Sequence, residues 1–236
     1  MSRILALADL HLSASGDKPM DVFGPVWAGH ARRMADAWDA RVRAEDVVLV
    51  PGDISWARTL AEAAGDLSWI GSRPGRKILL KGNHDSWWSA VGQVRRALPP
   101  GCAALQNDAL DVGVAVGVGA RGWTAPDDPT ASPEDLPIFR REVARLRASI
   151  ADADARLPRD RPRIAMLHYP PWIKNRPPTE IVPILREAGV SVCVYGHLHG
   201  ADHALAVTGE RDGIRYELVA ADAVDFAPVP IFPGLR

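Results

Sequence analysis

Lys77-Ile78-Leu79-Leu80-Lys81-Gly82-Asn83-His84-Asp85 carries a short apolar run into a glycine and then three polar side chains able to bind a metal or a proton. A run of this kind, closed by a turn residue, reads as a buried strand. Gly82 lets the backbone turn sharply at its end and approach a ligand closely. Four other stretches repeat the arrangement. Ile4–Ala8 leads into Asp9-Leu10-His11, and Asp46–Val50 leads into Gly52-Asp53. Arg163–Leu167 is followed at once by His168, and Val190–Tyr195 by Gly196-His197-Leu198-His199. Ligands of open α/β sheets bind outside the carboxyl ends of the strands, so five clusters far apart in sequence are placed to converge on one edge.

Between the strands lie segments of helical period. In 28–43, Met34, Trp38 and Val42 fall at spacings of four, on one helix face. Further helices are expected at 59–70, 86–98, 137–150 and 179–188, with Pro183 disturbing the first turns of the last. Val112–Val118 reads as a glycine-dotted strand. Ala204–Val207 and Ile214–Val219 read as a closing hairpin with Asp212-Gly213 near the turn. The proline-containing stretches 119–136 and 169–178 read as functional loops. Strands alternating with helices, without repeat or linker, indicate an α/β fold in one domain over residues 1–236.

Bulk properties narrow the classes. A chain of 236 residues with 47% hydrophobic and 24% charged residues has the balance of a soluble globular protein. The net charge of −1 lacks the basic footprint of a duplex nucleic-acid binder, so no stable duplex binding is expected. No apolar run approaches the ~20 residues that cross a bilayer, and the N-terminal run is too short for a signal segment. These features predict a cytoplasmic protein without membrane attachment. The two cysteines, Cys102 and Cys193, lack metal or redox spacing and read as free thiols.

Each cluster is weak alone. An isolated Asp-x-His is commonly a solvated pair, Gly-Asp a turn, and a single histidine a hydrogen-bonded core residue. Gly-Asn-His-Asp after a buried strand says more, and the set says most. Five of the seven histidines fall in the clusters, all at strand ends, with only His30 and His203 outside. Histidine, aspartate and asparagine together suit first-row divalent ions. The lack of thiolate argues against a finger-type structural zinc.

The order Asp-x-His, Gly-Asp, Gly-Asn-His-Asp, His, Gly-His-x-His, over residues 9–199, resembles the calcineurin-like metallophosphoesterase superfamily. The resemblance implies the metallo-dependent phosphatase fold, two mixed β-sheets forming a sandwich flanked by helices on both faces. It implies a dinuclear metal site. Asp9, His11 and His199 would hold one ion, Asn83, His168 and His197 the other, and Asp53 would bridge them. It implies a hydrolase in which a metal-bridging hydroxide attacks phosphate mono- or diesters of small molecules or nucleotides. Two cations about 3.5–4 Å apart clamp such an in-line displacement. Manganese is the expected ion, with Fe, Zn, Ni or Co as alternatives. His84 would touch the phosphoryl oxygen or protonate the leaving group. Asp85 would orient His84, or alternatively cap the helix expected after it.

The chain departs from two branches of that superfamily. Gly52-Asp53 continues as Ile54-Ser55-Trp56, without the Asp-Arg-Gly stretch of protein phosphatases and without the tyrosine of purple acid phosphatases. Arg121 is a candidate phosphate-binding residue, with Lys174 and Arg176 behind it. Trp56, Trp87, Trp88, Trp123 and Trp172 lie near the motifs or site-facing loops and could stack a nucleobase or an aromatic leaving group. Two rival readings remain on the same fold: a nuclease for single-stranded or short nucleic acid, and a catalytically weak protein-docking module.

Overall fold

A computed structural model describes residues 2–14, 16 and 18–232. Its strands are β1 (Ile4–Ala6), β2 (Val47–Pro51), β3 (Arg76–Leu80), β4 (Cys102–Ala104), β5 (Leu110–Asp111), β6 (Val116–Ala120), β7 (Arg163–Leu167), β8 (Val190–Tyr195), β9 (Gly209–Arg211), β10 (Ile214–Leu218) and β11 (Val229–Phe232). Its α-helices are α1 (His30–Arg41), α2 (Ala64–Gly71), α3 (Val91–Ala97), α4 (Asp135–Arg156) and α5 (Ile181–Glu187).

One sheet has the order β11-β1-β2-β3-β4, the other β5-β6-β7-β8-β10-β9. Both are mixed: the inner strands run parallel, while β11, β5 and β9 pair antiparallel. The side-chain alternation of the strands builds three apolar layers. Ile4 and Ala6 of β1, Val47 and Leu49 of β2 and Ile78 of β3 meet Ile164, Met166, Val192 and Val194 of the second sheet. The opposite face of the first sheet, with Leu5, Val48, Val50 and Leu79, packs under Met34 and Trp38 of α1, Leu67 and Ile70 of α2 and Val94 of α3. The outer face of the second sheet, with Val116, Val118, Ala165, Leu167, Cys193 and Tyr195, is covered by α4 and α5. The fold is therefore the expected two-sheet sandwich with helices on both outer faces.

Several elements differ from their sequence reading. The 86–98 helix begins only at Val91, because Ser86, Trp87 and Trp88 are held in a turn. The Ser86 amide donates to the His84 carbonyl, the Trp87 Nε1 to Asp85, and the Lys81 Nζ to the Trp88 carbonyl. The 59–70 helix likewise starts late, at Ala64. Helix α4 runs further than the 137–150 reading at both ends, since Ala153, small but fully packed, prolongs the stripe of Phe139, Val143 and Leu146. In α5, Pro183 sits in the first turn, where a missing N–H costs little. The 112–118 strand slides to 116–120, and a tight turn with Val112 N donating to Ala115 O precedes it. The 204–207 strand is replaced by a 3-10 helix over Gly200–Leu205. Ile214–Leu218 pairs with Gly209–Arg211 instead, through Asp212 and Gly213 at φ 52° and 78°, as a two-residue hairpin turn requires. Among the described residues, no helix is long and apolar enough to cross a membrane.

Candidate metal centre

All five clusters meet at the carboxyl ends of β1, β2, β3, β7 and β8. The loops that carry them are bolted together by backbone bonds: Asp9 N donates to Gly52 O, His11 N to Asp53 O, and Gly196 N to His168 O. Asp9, His11, Asp53 and His197 adopt left-handed φ of 58°, 44°, 51° and 72°. Such backbone costs about 1–3 kcal/mol per residue and persists where the surroundings impose it, commonly at functional sites.

Two glycines allow the approach. A Cβ on Gly82 would lie 2.1 Å from Asp53 Oδ1, and one on Gly196 would lie 2.2 Å from Asp9 Oδ2. Neither position admits a side chain without moving a carboxylate of the cluster.

The side chains form two groups. In the first, His11 Nε2 lies 3.4 Å from His199 Nε2, and His199 Nε2 lies 3.7 Å from Asp9 Oδ1. In the second, Asn83 Oδ1 lies 2.6 Å from His168 Nε2 and 3.2 Å from His197 Nδ1. Asp53 stands between them, its Oδ2 3.8 Å from His11 Nε2 and 3.4 Å from His168 Nε2. Tetrahedral ligation with bonds of roughly 2.0–2.1 Å sets neighbouring donors about 3.3–3.4 Å apart. Two imidazole nitrogens held at such a separation, with carboxylates beside them, are a donor set that fits divalent cations.

The far ring nitrogens of His168 and His199 are fixed from behind. His168 Nδ1 lies 3.1 Å from the Pro51 carbonyl, and His199 Nδ1 lies 2.8 Å from Asp222 Oδ1. Each bond places the proton on Nδ1 and leaves the Nε2 lone pair facing the cluster. Asp222 also accepts from the Gly200 amide at 3.0 Å and lies 3.2 Å from His203 Nε2. His30 Nε2 lies 3.2 Å from the His11 carbonyl. Thus His30, outside every motif, also braces the site, and His203 lies beside it.

Electrostatics of the cluster follow from burial and crowding. Burial, reinforced by neighbouring imidazoles, outweighs the pull of Asp53 and lowers His11 and His197 to about 3. Both are neutral at physiological pH, the form in which imidazole binds metal. Burial raises Asp9 to about 7 against the attraction of His199 and His168. Burial opposes the charge on Asp53 and His168 alike, but their mutual attraction wins, lowering Asp53 and raising His168 to about 9. The buried carboxylates thus call for added positive charge, which His168 supplies in part as an imidazolium, while His11 and His197 keep free lone pairs.

His84 belongs to neither group. Its side chain is 44% exposed, its Nε2 is 4.0 Å from Asp53 Oδ2, and its amide donates to Asp53 Oδ1 at 2.8 Å. Burial, then repulsion from His168, lowers its imidazole against the pull of Asp53. Asp85 has a different job from the two expected for it. Its buried Oδ1 accepts from the Ile54 and Ser55 amides and from Trp87 Nε1, and its Oδ2 accepts from the Gly82 amide at 2.7 Å. The His84 ring is not among its hydrogen-bond partners, and no helix starts at Asp85 for it to cap. Asp85 ties the Asp53 loop to the Asn83 loop.

Arg121 is also turned elsewhere. Its Nη2 lies 3.2 Å from the buried Glu142 and its guanidinium stacks 4.3 Å from the Trp123 centroid. Lys174 and Arg176 line a separate cleft with Trp172 and Arg211, and Arg176 pairs with Asp128. Of the tryptophans noted in the sequence, Trp87 and Trp88 are buried in the core. Trp56 alone of the five stands at the cluster, stacked on His11 at 5.0 Å and tilted against His84 at 4.4 Å. Trp27, which no motif marks, packs 5.6 Å from His199. Tyr169 covers His197 at 3.9 Å. Its position directly after His168 was the available signal; for Trp27 and Asp222 the sequence held none.

The family model described as calcineurin-like phosphoesterase matches residues 2–201. The gene 66 proteins of Mycobacterium phages D29 and L5 are 42% and 46% identical over 86 and 85 residues, 36% of this chain in each case. Those stretches cover 41% of each curated relative's own length. Among solved structures, phosphopantetheinyl hydrolase from Mycobacterium tuberculosis superposes with a TM-score of 0.62 at 16% identity, covering 98% of this chain and 96% of that one. A Thermus thermophilus protein superposes with a TM-score of 0.59 at 10% identity, covering 98% and 99%. At such identities the two structures speak for the fold.

Proposed function

This chain belongs to the calcineurin-like phosphoesterase family, and on that premise we propose that it is a metal-dependent phosphohydrolase cleaving phosphate mono- or diesters at a dinuclear centre. The observation that carries the reading is the convergence of seven side chains from five strand ends into two groups that share Asp53. In this reading Asp9, His11 and His199 would hold one cation, Asn83, His168 and His197 would hold the second, and Asp53, between the two groups, would be shared. Two divalent cations bound there, manganese in the first instance, would activate a water as nucleophile and stabilise charge developing on the phosphoryl oxygens.

The protein's own residues set the balance. Of the seven, only Asp9 and Asp53 are anionic, so roughly two of about four cationic charges stay uncompensated, which favours an anionic substrate. Asn83 contributes a neutral oxygen and preserves that surplus. His84 faces the opening beside the cluster, placed to hydrogen-bond an ester or phosphoryl oxygen. Asp85 positions both loops and touches neither substrate nor cation. The balance of the reaction is simple: the P–O ester bond breaks, the water oxygen bonds to phosphorus, and the leaving oxygen takes a proton.

The test is hydrolysis of bis-p-nitrophenyl phosphate and p-nitrophenyl phosphate by chelator-stripped protein titrated with Mn²⁺. Turnover that returns with metal and is lost in Asp53→Asn is expected. Bound metal without turnover of either ester would contradict the reading.

A further inference from the structure

The cleft beside His84 is largely apolar. It has a volume of about 400 Å³, and His11, His84, His199 and Asp222 form its polar end. Its other wall comes from two short 3-10 helices, Met20–Phe23 and Pro25–Trp27, together with Trp56. Met20 and Trp27 are buried at its base, whereas Phe23 and Val26 at its rim are 63% and 48% exposed. Only four large hydrophobic residues are exposed among the described residues, and these are two of them. An apolar surface left open to water and continuous with a reaction centre is a binding surface rather than a packing accident.

Two of the cleft's polar groups, Trp56 and Asp222, are already committed, whereas the His84 ring stays free for the phosphate end. Trp56 Nε1 donates to Met20 Sδ at 3.1 Å. Asp222 is occupied by His199 and Gly200, with His203 Nε2 3.2 Å away. A nucleobase seated against the wall of Met20, Phe23, Val26 and Trp56 would meet mostly carbon and gain few hydrogen bonds for its edges. An alkyl or aryl group has no such need. Lys18 Nζ, 4.6 Å from the Trp56 ring centroid, adds positive charge at the mouth, in keeping with an anionic ester.

We propose that this cleft is a subsite for the apolar organic group of the substrate, so that the chain acts on phosphoesters of hydrophobic alcohols in preference to nucleotides. The assignment rests on the phosphoesterase reading for what the phosphate end does, and on the cleft for the rest. Phe23, Val26 and Trp56 are its specificity-determining residues. Trp56, stacked on His11, links the subsite to the reaction centre.

The test is calorimetric binding of methyl-, butyl- and octylphosphonate and of AMP to the Mn²⁺-loaded protein. The dissociation constant is expected to fall about two- to fourfold per methylene until the cleft is filled, as burial of a CH₂ predicts. Octylphosphonate should bind more tightly than AMP. Phe23→Ser combined with Val26→Ser, at two rim positions whose exposure makes folding insensitive to them, should flatten the series. A flat series in the wild type, no binding of octylphosphonate, tighter binding of AMP, or an undiminished slope in the double variant would each overturn the assignment. Hydrolysis of bis-p-nitrophenyl phosphate on the same preparations separates the two readings. A flat series with an active protein removes the subsite alone; a steep series with an inactive protein keeps the subsite and removes the phosphoesterase reading.

Discussion

His199 presents Nε2 to the cluster because its other nitrogen lies 2.8 Å from the Asp222 carboxylate. That carboxylate is itself held by the Gly200 amide at 3.0 Å, so ring orientation is set by a rigid partner. A carboxylate behind a ligating histidine fixes its tautomer and raises its basicity.

Asp222→Ala should therefore weaken metal binding about 10–100-fold while leaving the fold intact. Asp222→Asn keeps one acceptor oxygen and should fall between. Metal content after dialysis against graded chelator concentrations checks both; equal retention by Asp222→Ala and wild type would remove the positioning role.

Gly82→Ala places a Cβ 2.1 Å from Asp53 Oδ1 and 2.2 Å from the Asp53 amide nitrogen. The carboxylate shared by both groups must move, so both metal equivalents and turnover should be lost together. Far-UV circular dichroism should remain that of the wild type, since the clash is local.

Asp85→Ala tests whether Asp85 is a clamp. The change leaves the Ile54, Ser55 and Gly82 amides and Trp87 Nε1 without their acceptor. Unpaired buried donors cost about 1–3 kcal/mol each, so a loss of at least roughly 3 kcal/mol is expected in urea unfolding. A variant of unchanged stability but altered pH–rate profile would return Asp85 to the role of orienting His84.

Much of this site was legible because each motif follows a strand whose apolar run is unmistakable. Gly82-Asn83-His84-Asp85 and Gly196-His197-Leu198-His199 lie where the sequence places them, and the glycines make the close approaches expected of them. The illegible parts depend on tertiary partners. Asp222 sits beyond the matched residues 2–201 and acquires meaning only when β10 lays it behind His199. Arg121 looks like a phosphate ligand until Glu142, from α4, is seen to occupy it. Ser86-Trp87-Trp88 has the composition to open a helix, yet Asp85 and Lys81 hold it in a turn. The apolar cleft draws on residues 20–27, which carry no periodicity to mark them.

Acid should weaken the chain's N-terminal anchorage. Asp46 accepts from the Arg3 and Arg43 amides and pairs with the Arg3 guanidinium at 2.6 Å. Burial alone would raise its carboxyl, but these bonds outweigh it and hold it below the usual range. With the folded value depressed, its stabilisation is complete above the unfolded value of about 3.9 and is lost as pH falls through the folded value. The wild type should therefore exceed Asp46→Asn in urea midpoint at pH 7 and pH 5, and the gap should close toward pH 3. A gap that widens on acidification would reverse the sign.

The most direct test of the central claim is the stoichiometry of Mn²⁺ binding to chelator-stripped protein by calorimetry. The account predicts two equivalents per chain in the wild type and in His84→Ala, and loss of binding in Asp53→Asn. One equivalent or none in the wild type, or loss of metal in His84→Ala, would contradict it.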